Sequence, residues 1–286
     1  MKNYQKGLFF GVLTTIIFSL DLFPAKLLVS KFPPLVVTVW TSLVIGILFL
    51  PITLVLSKYS LRKVNRKDIP LLLVFGILAS GIGGYFALSG LQIVPVSEAA
   101  FLLQLEVVFA TLTAYVWLKE SIVPRQLLGM GLLLFGAYLL SQTERFNFRI
   151  GEIMLVSGTL AFGITDVMTK KIDPQIPTSV VTSVRFLIGG IFLIPFVING
   201  GTFPTYDGRD ILLILLNGFF YLTGVTFLYS SLKYLPGAIG SFFLVPAMFL
   251  AAILGVVFLK ENMTLQQWIG GCIIVAGLVT VIFKKV

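Results

Sequence analysis

The stretch 91–140 occurs twice in this chain: shifted by 141 positions, without a gap, it lands on 232–281. Twelve of the fifty positions are then identical, among them Pro95/Pro236, the run Leu118-Lys119-Glu120 against Leu259-Lys260-Glu261, and the glycine pairs Gly129/Gly270 and Gly136/Gly277. The residues before it repeat as well. An offset of 144 superposes Gly7/Gly151, Thr15/Thr159, Pro33/Pro177, Gly46/Gly190 and Pro51/Pro195, and an offset of 142 superposes Gly76/Gly218. The chain therefore reads as two copies of one unit, residues 1–143 and 144–286, and any fold proposed for it has to be built twice.

The unit is not a soluble one. Of the 286 residues 57% are hydrophobic and 12% are charged, about half the charge of an ordinary soluble domain. Crossing a bilayer takes about 20 apolar residues per helix, and ten stretches qualify: 7–28, 34–56, 69–91, 96–117, 124–141, 151–169, 178–198, 210–231, 237–258 and 265–283. Each unit holds five. An odd number forces the second unit to insert upside down relative to the first. The expected fold is an all-α membrane protein of ten transmembrane helices in two inverted five-helix repeats.

The net charge of +9 does not point to nucleic acid, because the basic residues sit in short breaks between apolar runs rather than on a water-facing domain. With the N-terminus inside, fourteen Lys and Arg fall on the cytoplasmic side, against six on the outer side (Lys26, Lys31, Arg145, Arg149, Arg209 and Lys260). By the positive-inside rule both termini are cytoplasmic. The N-terminal apolar run lacks a small-residue cleavage site and is read as a retained first span.

The chain has one cysteine, Cys272, and no histidine. A disulfide framework, His-ligated metals and histidine-based nucleophile systems are thereby excluded, and no cofactor or metal is expected. Gly-x-x-x-x-Gly-Lys-Ser/Thr is absent, which argues against ATP-driven transport within this chain.

Ten helices in two five-helix units resemble the EamA-type branch of the drug/metabolite transporter superfamily. In each unit the fourth helix ends in Lys-Glu (Lys119-Glu120, Lys260-Glu261) and the fifth is spaced by glycines. That family usually has Gly before the terminal Glu, where this chain has Lys. The resemblance covers nearly the whole chain. It implies export or exchange of small organic solutes through a central cavity that opens alternately to each side.

Charges within spans are costly, about 2.5–3.5 kcal/mol at the helix centre on insertion scales, so each needs a cavity, a partner or a route to the interface. At about 1.5 Å per residue, Glu106 lies about 15 Å in, at the midplane, and Arg185 about 10 Å in from the opposite side. A Glu106–Arg185 pair is the expected arrangement. Asp21 and Asp166 fall about 12 Å apart in depth by the same measure, near opposite mouths of a cavity. Lys170, four residues after Asp166, is the expected partner for that carboxylate, while Pro24 near Asp21 would free backbone groups for a polar site. Glu120 and Glu261 are read as structural residues at the turn into the fifth helix. Trp40, Tyr85, Tyr221, Tyr229, Gln104 and Asn217 lie deep enough to line a pocket. The glycine cluster Ser80-Gly81-Ile82-Gly83-Gly84 reads as close helix packing.

A cavity with aromatic walls, acids and one base suits an amino-acid-like or amphipathic solute. The leading expectation is a secondary transporter that exports such metabolites, with protons as coupling ions through Asp21 and Glu106. An exchanger of phosphorylated sugars or nucleotide sugars is the alternative, ranked lower because that cargo calls for several cations at depth. An intramembrane enzyme lacks its His motifs, and a non-transporting scaffold would tolerate neutral replacement of Glu106 and Arg185. The expected partners are a small-molecule substrate, protons and the lipid bilayer, with no nucleic acid, in a monomer or homodimer of a prokaryotic plasma or inner membrane.

Overall fold

In lipid a backbone has no water to bond, so every amide must find its partner within its own segment. The computed structural model answers that demand with helix throughout; it describes residues 2–94, 96–141, 149–200, 204–235, 239–259 and 262–282. Lys260 and Glu261, and the basic residues Arg145, Lys284 and Lys285, lie outside the described residues.

The first passes are α1 (Lys2–Lys31), then α2 (Pro34–Leu43) and α3 (Leu50–Ser57) joined by a π-helical stretch Val44–Phe49. Next come α4 (Ile69–Phe75) and α5 (Gly84–Ile93), joined by a second π-helical stretch, Gly76–Gly83. There follow α6 (Val96–Leu103), α7 (Leu105–Leu118), α8 (Pro124–Ser141), α9 (Ile150–Met168), α10 (Thr178–Asn199) and α11 (Gly208–Tyr234). A 3₁₀ segment, Ile239–Leu244, leads into α12 (Val245–Leu259), and α13 (Leu265–Ile282) closes the chain. Eight of the described helical runs are long and apolar enough to cross a membrane: Asn3–Lys31, Pro34–Ser57, Ile69–Ile93, Phe101–Leu118, Ile150–Lys171, Thr178–Asn199, Gly208–Tyr234 and Leu265–Ile282. The protein is a multi-pass membrane protein.

Local sequence explains most of the irregularities. Pro51 has no N–H for the carbonyl four residues back, and the helix widens to i→i+5 bonding over Val44–Phe49 just before it. The pass over 96–117 is broken at Gln104, whose carbonyl accepts from Val107 at 3.2 Å, so Glu106 falls in the first turn of α7. The pass over 237–258 likewise begins as 3₁₀ helix and becomes α-helical only at Val245.

Packing follows the small residues. The helices α8 and α13 cross so closely that a Cβ built on Gly136 would lie 2.6 Å from the Gly270 carbonyl oxygen, and one on Gly129 2.9 Å from that of Gly277. Helix α1 runs along α11, α9 along α5 and the second π stretch, and α10 fills the groove beside both π stretches. Polar ties fasten the helix ends. At one face the Lys31 ammonium bonds Asp210 at 2.6 Å. Asp207, which caps α11 there, is held below the usual carboxylate range chiefly by the Asp210 backbone N–H, with Lys31 adding to it. At the opposite face the Tyr4 hydroxyl donates to the Ile282 carbonyl at 2.6 Å and Lys233 to that of Pro174 at 2.6 Å.

Lys119 ends α7 in the left-handed region, at φ 54°. That conformation costs an L-residue about 1–2 kcal/mol and glycine nothing comparable, which is the physical reason for a Gly at this corner. Lys119→Gly is expected to raise stability by about 1 kcal/mol. A thermal melt in detergent checks this, with Lys119→Ala giving no such gain.

Candidate functional site

A cavity of about 220 Å³ opens among α1, α2, α5, α7, α9, α10, α11 and α12. Its lining includes Ala25 and Leu91, near the ends of α1 and α5, and reaches inward to Leu228 and Leu244. Beyond those two it is closed by a packed core containing Phe75, Met168, Ile172, Val180 and Tyr229.

Seven of the ten candidate residues line it: Asp21, Gln104, Glu106, Asp166, Arg185, Asn217 and Tyr221. Trp40, Tyr85 and Tyr229 do not. Trp40 is exposed, with its ring set edge-on to Tyr206 at 5.8 Å. Tyr85 packs on a cluster around Val36 and Val39. Tyr229 is buried behind the cavity, against Phe75. Each side chain packs against neighbours outside the cavity wall.

The expected Glu106–Arg185 pair does not form: among the described residues no ion pair joins them within 4.0 Å. Glu106 instead meets Asp166, the two carboxyls lying at hydrogen-bonding distance. The approach is possible because α7 and α9 are in tight contact at Gly163, where a Cβ would lie 2.7 Å from the Ala110 backbone nitrogen. Asp166 also accepts a 2.6 Å bond from the Ser241 hydroxyl, on the 3₁₀ segment. Nor does Asp166 pair with Lys170. Helix α9 turns into a 3₁₀ turn at Thr169–Lys171, and Lys170 reaches Glu120 at 3.5 Å and the Leu235 carbonyl at 3.2 Å.

Arg185 is 3% exposed and, among the described residues, has no carboxylate within ion-pair distance. Its Nε donates to the Ser80 hydroxyl at 2.9 Å. Three rings surround the guanidinium, with centroids 4.6 Å (Phe186), 5.3 Å (Phe75) and 5.4 Å (Tyr229) from Cζ. Ser80 comes within reach because its π stretch packs directly on α10: a Cβ on Gly189 would sit 2.7 Å from the Gly81 nitrogen. Nε is thus engaged and the charge is stabilised by ring faces, while no described hydrogen bond uses the two terminal nitrogens.

A second polar cluster lies nearer the open end. Asn217 accepts from the Thr41 hydroxyl at 2.9 Å and donates to the Asp21 carboxylate at 2.8 Å. Tyr221 stands between the clusters, its ring against Phe18 at 5.9 Å and Phe186 at 5.1 Å. The Gln104 amide is directed at the Met248 sulfur. The cavity therefore offers an acid with an amide at one end, and a guanidinium beside a carboxyl couple at the other. Ser80, Ser241 and Thr41 were missed by sequence reasoning. Ser80 stood in the glycine cluster already noted; a lone Ser241 or Thr41 in an apolar run carries no signal of its own.

The profile of the EamA-like transporter family matches residues 5–142 and, a second time, residues 149–283. The chain belongs to the EamA-like transporter family. Among its relatives is an "Uncharacterized transporter" of Methanothermobacter thermautotrophicus, 23% identical over 93% of this chain and 83% of the relative. Another is the "Uncharacterized transporter YetK" of Bacillus subtilis, 22% identical over 91% of this chain and 82% of the relative. A solved crystal structure of another protein shares the fold, with a TM-score of 0.80 at 19% identity over 96% of each chain. This EamA-like protein is a membrane transporter.

Removing the amide that partners Asp21 leaves a buried carboxyl without its donor, a loss of about 1–3 kcal/mol. Asn217→Leu is accordingly expected to destabilise the transporter by that amount in a detergent melt. The double variant Asp21→Leu/Asn217→Leu should lose less than the sum of the single variants, because neither partner is then left orphaned.

Proposed function

We propose that the transporter carries small zwitterionic, amino-acid-like solutes by alternating access, in the export direction that the family resemblance implies, with a proton exchanged through the Glu106/Asp166 couple. The observation that carries this reading is Arg185: a buried guanidinium in the cavity wall with ring faces around it and no carboxylate partner of its own. Two terminal nitrogens of a guanidinium match the two oxygens of a carboxylate. The cavity's other cluster, Asp21 with Asn217, suits an ammonium group, and the wall between them supplies Phe18, Tyr221 and Phe186 for an apolar body. Two carboxyls at hydrogen-bonding distance in an apolar site cannot both be ionised, so Glu106 and Asp166 hold a proton between them that a substrate or an opening movement can displace. Among the described cavity residues Arg185 is the one cation, which speaks against phosphorylated sugars or nucleotide sugars as cargo.

The architecture that would perform this is ten spans in two inverted repeats, 1–143 and 144–286, with both termini cytoplasmic in a prokaryotic plasma or inner membrane. In support of it, α8 is an 18-residue helix packed along α13 and Ile239–Leu254 is a shorter apolar helix, the two segments that would make the further crossings, and the family profile matches each half separately. The contacts also pair up under the repeat offset. Gly129 meets Gly277 while Gly136 meets Gly270, and contact of α1 with α11 mirrors that of α9 with α5. Such reciprocal contacts are what a two-fold axis generates. The offset falls from 142 at Gly76 to 141 at Leu91. One extra residue in the first unit is what a π stretch absorbs in a helix, and Gly76–Gly83 is such a stretch.

Flux of labelled amino acids in proteoliposomes, with and without an imposed pH gradient, tests the reading. Arg185→Gln should raise the half-saturating concentration by about tenfold or more, the worth of a lost charged hydrogen bond. Glu106→Gln should abolish gradient-driven flux while leaving exchange of solute for solute. Flux that ignores both substitutions would sink the proposal, and flux only with phosphorylated solutes would favour the alternative cargo.

A further inference from the structure

Behind the core that closes the main cavity lies a second one, of about 250 Å³, at the face where α9 ends and α10 begins. Its wall includes Lys170, Lys233, Thr178 and Tyr229. Three observations set it apart from a packing defect. The hydroxyl of Tyr229, a residue of its wall, is buried with no hydrogen-bond partner, an expensive condition for a hydroxyl in an apolar interior. Replacement by Phe would satisfy the packing equally well, so packing alone does not account for the oxygen. The two ammonium groups are held by backbone carbonyls, Lys170 by Leu235 at 3.2 Å and Lys233 by Pro174 at 2.6 Å. Among the described residues Lys170 has one carboxylate neighbour, the half-buried Glu120 at 3.5 Å, which is not part of the cavity wall. Finally, the Tyr229 ring that lines this cavity is also one of the three rings around Arg185, so one side chain of the intervening core touches both the guanidinium and the second space.

We infer that this second cavity is a vestibule with its own site for a carboxylate group, formed by Lys170, Lys233 and the Tyr229 hydroxyl, which receives the solute's carboxylate when it leaves Arg185. Two cations and a free O–H supply the donors a carboxylate requires. The one acid in its wall, Asp173, already accepts from the Gln175 backbone N–H at 2.8 Å. Thr178, whose hydroxyl lies 2.9 Å from that of Ser230 behind it, adds a polar group to the wall. Handing a carboxylate from one donor set to the next avoids stranding it unpaired in the membrane interior, which is costly. The inference rests on the transporter reading above for its direction of traffic, but the site itself is testable without any flux.

Cys272 is the only cysteine, so Cys272→Ser gives a clean background for a reporter thiol at Val181→Cys, on the vestibule wall. The purified full-length protein is treated with an anionic and a cationic methanethiosulfonate reagent of similar size. The anionic reagent should react roughly tenfold faster or more, as a wall with two ammonium groups and one carboxylate keeps a net positive charge that concentrates anions, and Lys170→Gln with Lys233→Gln should erase the preference. Millimolar acetate or alanine should slow the labelling, and Tyr229→Phe should weaken that protection several-fold without lowering the melting temperature. Equal rates for both reagents, no labelling by either, or no protection by carboxylates would overturn the vestibule site. Ile176→Cys serves as a second reporter on the same wall should Val181→Cys fail to yield monodisperse protein. If labelling behaves as expected while proteoliposomes move no carboxylate solute, the transport reading fails and the site stands.

Discussion

A guanidinium buried deep in a membrane protein is the constraint to which the surrounding structure responds. Charge at that depth has to be stabilised where it sits, and around Arg185 stand three ring faces and one serine hydroxyl, with Glu106 and Asp166 close by but outside ion-pair distance. Each of these depends on something farther off. The serine is delivered by a π-helical stretch, and the stretch reaches α10 because Gly189 leaves room for its backbone. Phe75 stands at the end of α4, just where that stretch begins, and Tyr229 comes from α11. The widened helix is therefore part of the site, since regular i→i+4 bonding would rotate Ser80 relative to Phe75.

The same arrangement separates the charges by role. Had Glu106 met Arg185, both would have been neutralised as a structural pair and the cavity would have kept neither. Breaking the fourth pass at Gln104 places Glu106 in the first turn of α7 and toward α9, where it meets Asp166, itself held by the Ser241 hydroxyl. Discontinuous helices with their ends at the middle of the protein are a recurrent device in transporters. Here the device leaves an acid couple and a guanidinium side by side but unpaired.

Depth was readable in the chain and rotation was not. Counting residues along each apolar run placed Asp21, Glu106, Asp166, Arg185, Asn217 and Tyr221 at levels where one cavity now collects them. The same count accepted Trp40, Tyr85 and Tyr229, because rise per residue is one coordinate and the face a side chain takes is another. Local rules failed where tertiary contacts outbid them. The i,i+4 spacing of Asp166 and Lys170 promised a pair, but α9 ends in a 3₁₀ turn and Lys170 finds Glu120 from a different helix. Pro51 is visible in the sequence as a helix disturbance, whereas the π stretch at Gly76–Gly83 contains no proline and shows itself only as a shift of one in the repeat offset.

By itself the sequence determined the solvent and the class of this protein. A chain that is 57% hydrophobic with charges confined to short breaks has to satisfy its backbone internally, and helices do that within each segment. It also determined which polar groups would be held at depth, since a buried charge is conspicuous in an apolar run. Only the tertiary structure decided which of those groups meet. Partners such as Arg185 and Ser80, or Asp21 and Asn217, lie 105 and 196 residues apart. What brings them together is the close approach of glycine-lined helices, an effect of shape that no count along one helix contains.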